Sequence, residues 1–176
     1  MSKTRQHEGR SAGKVGGMKN LTYLAIDPHR LDTMRQRGTD EFGQPWDRRT
    51  AQGWEPLRCC PRKAVGGENI ALISYSPWPL PWSSPWAEAG PVFVCFHRCP
   101  GYPDADRYLQ ALLRQHALLN PFDRTGARAY RHIRFVEPGE DHEAAVHTVL
   151  NQPDTAFLHV RSAVAQCFTF EVRPAA

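Results

Sequence analysis

Apolar and polar residues alternate most regularly at the end of the chain. Over residues 156–172, AFLHVRSAVAQCFTFEV, the positions Leu158, Val160, Phe168, Phe170 and Val172 interleave with His159, Arg161, Cys167, Thr169 and Glu171. Period two is the signature of a strand whose faces differ. The pattern predicts an antiparallel hairpin turning at residues 163–165, with Arg161 opposite Cys167 and His159 opposite Thr169. One face is then apolar. The other gathers an imidazole, a guanidinium, a thiol, a hydroxyl and a carboxylate. That face reads either as a solvated sheet surface or as a site.

Two more apolar runs predict strands: NIALISYS at residues 69–76 and GPVFVCFH at residues 90–97. They are rich in β-branched and aromatic side chains. LTYLAI at residues 21–26 is a shorter strand candidate. Asp27-Pro28 follows it, with an N-cap residue and a proline suited to a brief helical turn. Leu57 to Cys60 is short enough to be extended, and residues 128–136 read as a weakly alternating strand. In residues 104–119, Tyr108, Leu109, Leu112, Leu113 and Leu119 fall on one side of a 3.6-residue period, which predicts a helix ended by Asn120-Pro121. Residues 123–126 read as a turn. A second helix is expected from the Asp141 cap to Leu150, with Glu143 in its first turn and Pro153 beyond its end. Residues 36–55 read as a long polar loop pinned by Trp46 and Trp54. The element order predicts an α+β fold with a mainly antiparallel sheet and two main helices.

Composition changes this picture at three places. Residues 1–19 carry five basic residues against one glutamate, and this accounts for the whole net charge of +4. The rest is balanced and has no basic excess to follow a phosphate backbone, so no nucleic-acid partner is expected. Residues 1–18 read as a disordered tail, with Met18 as an alternative start, ahead of one α+β domain over residues 19–176. No apolar run is long enough to span a membrane. Five cysteines, an odd number, without a secretory leader fit reduced thiols in a cytoplasm. The third place is residues 77–85, PWPLPWSSP. Its prolines exclude a helix or a central strand. Trp78 and Trp82 there, with Trp86 just beyond, read as cover for a core edge or as an aromatic lid over a pocket.

Three segments resemble the bacterial family known as domain of unknown function 1203. In the first, residues 56–75, Arg58, Cys59, Cys60, Gly67, Glu68 and Tyr75 stand where the family has Arg-Cys-Cys, Gly-Glu and a strand ending in Tyr. The second is Gly-Pro-Val-Phe-Val at residues 90–94. The third, residues 152–174, places Asp154, His159, Arg161, Cys167, Phe168, Glu171 and Arg173 on the family's closing motif. The resemblance spans residues 20–174 and implies a soluble bacterial domain. Two departures stand out. Gln166 replaces the family's glycine before Cys167, and the segment from Asn120 to Gly126 lacks the family's Arg and Tyr.

These residues point to a cofactor-independent pocket for a small anionic metabolite. His159, Tyr75 and Cys167 are the candidate acid/base and nucleophilic groups. Arg58 and Arg161 are the anion-binding pair, because a guanidinium matches a carboxylate in bidentate fashion. Trp78, Trp82 and Trp86 are the cover. An isomerase, lyase or cyclase acting by proton transfer fits this set, and so does a non-catalytic binding or interaction module. Cys95, His97 and Cys99 form C-x-H-x-C, yet no second ligand pair follows at zinc-finger spacing and adjacent Cys59 and Cys60 would point apart on a strand, so no metal is expected.

Overall fold

The computed structural model describes residues 20–78 and 84–175. The expectations for the tail, residues 1–18, and for Trp82 lie outside the described residues. Two antiparallel-dominated five-stranded sheets carry the fold. In chain order the strands are β1 (Leu21–Leu24), β2 (Asp47–Thr50), β3 (Pro56–Leu57), β4 (Arg62–Lys63), β5 (Asn69–Tyr75), β6 (Gly90–Cys95), β7 (Ala117–Phe122), β8 (Arg134–Val136), β9 (Phe157–Ser162) and β10 (Phe168–Pro174). The helices are α1 (Pro28–Arg37) and α2 (His142–Leu150). The first sheet runs β1-β10-β9-β7-β8, and the second β2-β5-β6-β3-β4, with β3 parallel to β6 through Leu57 and Phe93. The fold is α+β, as the element order predicts.

Each helix follows from its ends. The Asp27 carboxylate accepts the His29 amide at 2.9 Å, Pro28 opens the first turn of α1, and Gly38 closes it at φ 70°. Asp141 caps α2 through the Ala144 amide at 2.9 Å, and Glu143 lies in the dipole-favoured first turn.

The helix expected over residues 104–119 is a correction. That segment forms only a 3₁₀ turn, Gln110–Leu112, before the chain enters β7. Leu119, wholly buried, pairs with Arg134 on one side and Val160 on the other. Ladder bonds to two neighbouring strands outweigh a weak helical preference. Tyr108, Leu109 and Leu112 still reach the core that the periodicity assigned to them, from an irregular backbone. The loop expected at residues 36–55 contains the edge strand β2, whose four residues are all exposed and so carry no apolar signal. Trp46 is buried as expected, while Trp54 is 59% exposed, meets Phe93 edge-on at 5.8 Å and donates its indole N–H to Gln52 Oε1 at 3.1 Å. Residues 128–136 divide into a 3₁₀ turn, Tyr130–His132, and the short β8.

The register of the last hairpin also differs from the alternation pattern. Phe168 lies opposite Arg161, but Phe170 lies opposite Val160 and Glu171 opposite His159, so a bulge at Thr169 adds one residue to β10. Before the bulge, Phe168 faces away from Phe170. Phe170 joins Leu158, Val160 and Val172 in the core beneath α2. Phe168 joins Ile26, Leu31, Ile73 and Val92 in the core of the second sheet and α1. The bulge thus lets the hairpin feed both cores. Gln166, at φ 59°, is the one non-glycine with positive φ among the described residues, which gives the physical reason a glycine suits that place.

Candidate functional site

His159, Thr169 and Glu171 on the hairpin are buried, while Arg161 and Cys167 are half-buried. His159 is 2% exposed and Glu171 9%. His159 Nε2 lies 3.2 Å from Glu171 Oε2, and Arg173 Nε donates to Glu171 Oε1. A carboxylate only accepts, so the imidazole carries its proton on Nε2. Rings enclose His159 on its other sides: Phe122 at 4.8 Å, Phe168 at 5.5 Å and Trp78 at 5.8 Å. Burial holds His159 below its ordinary pKa, against the pull of Glu171. Burial also raises Glu171, but hydrogen bonds from His159 and Arg173 outweigh it and hold the carboxyl below its usual range. The pair is therefore a neutral imidazole against an ionised carboxylate.

Unfolded His159 takes up a proton near its ordinary pKa of 6.5, and the folded protein resists doing so. Stability is full above that pH and falls as pH drops below it, and Glu171 adds a further loss below its ordinary 4.5. The melting temperature should decline steadily from pH 7 to pH 4.5. A His159→Gln variant should flatten the upper part of that decline; an unchanged slope would assign it elsewhere.

Glu171 opens onto a cleft of 460 Å³. Its lining includes Tyr23, Asp27, Tyr75, Tyr102, Phe168 and Arg173, brought together from β1, the α1 cap, β5, the loop after β6 and β10. Tyr75 accepts a hydrogen bond from Arg30 Nη1 at 3.1 Å, and burial raises its pKa, so its phenol stays protonated. Tyr23 donates to Glu143 at 3.3 Å and Tyr102 to the Arg107 carbonyl at 2.9 Å.

The residues singled out from sequence do not converge on one cavity. Tyr75 lines the cleft and His159 lies behind Glu171. Arg58, 4% exposed, donates to Cys167 Sγ at 3.1 Å instead of facing the cleft. Arg161 binds the Gln166 carbonyl and Glu88. Trp78 covers His159, while Trp86 donates to the Tyr130 hydroxyl at 3.1 Å. Thr169, expected beside His159, is displaced by the bulge. Tyr23, Asp27 and Tyr102 were not legible as site residues, since only the meeting of distant stretches of the chain gives them a common cavity.

A second cluster lies at the end of β6. The sulfur atoms of Cys59, Cys60, Cys95 and Cys99 all lie within 4.8 Å of one another and could hold one metal ion. Cys59 and Cys60 occupy the turn between β3 and β4, where their sulfurs sit 3.8 Å apart. The expectation of no metal rests on Cys59 and Cys60 lying on a strand and on the lack of a second ligand pair nearby in sequence. The turn removes the first premise, and a partner pair some 35 residues away, with Cys60 Sγ 3.4 Å from Cys95 Sγ, removes the second. His97 is outside this group and stacks on Phe96 at 4.9 Å. Hydrogen bonds from Cys59 hold the Cys95 and Cys99 thiols below their ordinary pKa, while hydrogen bonding within the cluster and burial push Cys59 and Cys60 up.

Fold and site together define an α+β protein of two sheets, with a carboxylate-floored cleft and a four-thiol cluster. The family model described as "Protein of unknown function (DUF1203)" matches residues 54–173, and the chain belongs to that family. The match begins at β3, so β1, α1 and β2 fall outside it, a narrower span than the resemblance suggests. Neither a curated protein nor a solved structure matches the chain. The described residues contain no helix long and apolar enough to cross a membrane.

Proposed function

We propose that this is a small-molecule protein of the bacterial cytoplasm, which binds a polar metabolite in the cleft beside Glu171 and moves a proton on it by isomerase, lyase or cyclase chemistry. The observation that carries this reading is a buried, ionised carboxylate that opens onto a cleft while a neutral histidine fixes it from behind. A carboxylate so placed can accept a proton from a bound ligand, and His159 acts as its positioning residue. Tyr75 offers a protonated phenol. The rings of Tyr23, Tyr75 and Phe168 suit an apolar or ring-shaped body. Arg58 and Arg161 are engaged away from the cleft, whereas Arg173 lines it while its Nε donates to Glu171, so Arg173 is the guanidinium placed beside an anionic group.

The test is a thermal-shift and calorimetric screen of hydroxy acids, amino acids and cyclic metabolites, followed by proton exchange in heavy water. A ligand of this cleft should lose roughly tenfold to a hundredfold in affinity on Glu171→Gln, since a hydrogen bond to a charged group contributes about 1.5–3 kcal/mol. Its acidic C–H should exchange with the native protein only. Binding that Glu171→Gln leaves untouched removes this cleft from consideration. Binding without exchange makes the protein a non-catalytic binder.

A further inference from the structure

We propose that Cys59, Cys60, Cys95 and Cys99 bind one Zn²⁺ ion in a closed tetrahedral site that clamps the β3–β4 hairpin to the end of β6. This goes beyond the cleft reading and does not depend on it. A Zn–S length of about 2.3 Å places ligand sulfurs roughly 3.8 Å apart in a tetrahedron. Cys59 and Cys60 stand at 3.8 Å, Cys60 and Cys95 at 3.4 Å, and no pair of the four exceeds 4.8 Å. Four sulfurs so close surround space for a single ion. An all-thiolate set is soft and selects zinc over magnesium or calcium. With four protein ligands and no open position, the site is structural.

The surroundings suit metal-bound thiolates. The Cys95 amide donates to Cys59 Sγ at 3.2 Å, and the Gly101 amide donates to Cys99. Amide hydrogen bonds of this kind orient and stabilise ligand sulfurs. Arg62 reaches Cys95 Sγ at 3.8 Å and offsets the negative charge that four thiolates leave on a divalent ion. Glu68 is the carboxylate beside Cys95, at 3.9 Å, and Arg62 already holds it through both oxygens. Cys59, Cys60 and Cys95 are buried, while Cys99 is half-buried at the edge of a separate cavity, which gives an ion a route in.

The fold also gives the ion a task. Strands β3 and β4 have two residues each, and β3 joins the sheet only through Leu57 and Phe93. Such short strands carry little stability of their own. An ion held by two sulfurs from their turn and two from β6 and its following loop would anchor the hairpin. It would also fix Pro100, Gly101 and Tyr102, which form a wall of the Glu171 cleft.

The full chain, purified in reducing buffer from zinc-supplied cells, should carry about one zinc per chain by elemental analysis. Stripped protein given Co²⁺ should show the intense visible bands of a tetrahedral thiolate site, and added Zn²⁺ should abolish them. Metal removal should lower the melting temperature by on the order of 10 °C, with recovery on zinc return. Cys167→Ser should keep the metal. Cys99→Ser should reduce zinc affinity at least tenfold, and the Co²⁺ spectrum of the native chain decides the matter if that variant fails to fold. Native protein with five titratable thiols, no bound metal and no Co²⁺ spectrum would overturn the proposal. A Cys60–Cys95 disulfide or one iron per chain would overturn it as well.

Discussion

Truncation of Phe168 or of Phe170 to alanine should each destabilise the protein by about 3–5 kcal/mol, the range for removal of a buried phenylalanine. Both rings are buried, at 5% and 2% exposure. Their surroundings are not shared. Phe170 meets Tyr108 edge-on at 5.4 Å and Tyr23 at 5.9 Å, beneath α2. Phe168 meets Tyr75 and His159, each at 5.5 Å, on the opposite face. In a regular hairpin, residues two apart lie side by side on one face and their substitutions couple. Here the Thr169 bulge puts a sheet between them, so the milder pair Phe168→Leu and Phe170→Leu should be additive within about 0.5 kcal/mol. Denaturant unfolding of the two single variants and the double variant measures this. A coupling above about 1 kcal/mol would restore the regular register.

Gly126→Ala should cost about 3 kcal/mol, more than any other glycine replacement in the described turns. Gly126 has φ +82°, where an alanine costs about 1–2 kcal/mol. A methyl at that site would also stand 2.9 Å from Cη2 and Cζ3 of the Trp78 ring. That ring cannot withdraw easily: Phe122 lies 5.3 Å away, with Phe157 and His159 each at 5.8 Å. Overpacking of this kind adds about 1–3 kcal/mol. Gly139 is the control, since it has φ +86° with nothing near its added methyl. Gly139→Ala should lose only the backbone part. The difference between the two melting temperatures reports how firmly Trp78 is held over His159, and equal losses would mean that the ring yields.

These two expectations mark where sequence pattern and tertiary structure part. Local chemistry settled the strands β5 (Asn69–Tyr75) and β6 (Gly90–Cys95), the caps at Asp27 and Asp141, and the turn ending at Gly126, because periodicity, capping and φ preference act over a few neighbouring residues. The family is also written in the sequence, through the segments around Cys59, Gly90 and His159. The extended course of residues 117–122 was decided by β8 and β9 closing on both sides, which no local period records. The bulge at Thr169 was decided by two cores competing for Phe168 and Phe170. It changed the hairpin's second face from a shared polar surface into a buried His159–Glu171 pair. Arg58 and Arg161 were drawn to Cys167 and to Glu88 by the same packing. Tyr23, Asp27 and Tyr102 became one cleft, and four cysteines from two distant segments one cluster, only when the chain folded. Side-chain type shows which chemistry a residue can perform. Whether residues perform it together depends on distances that long-range strand pairing sets.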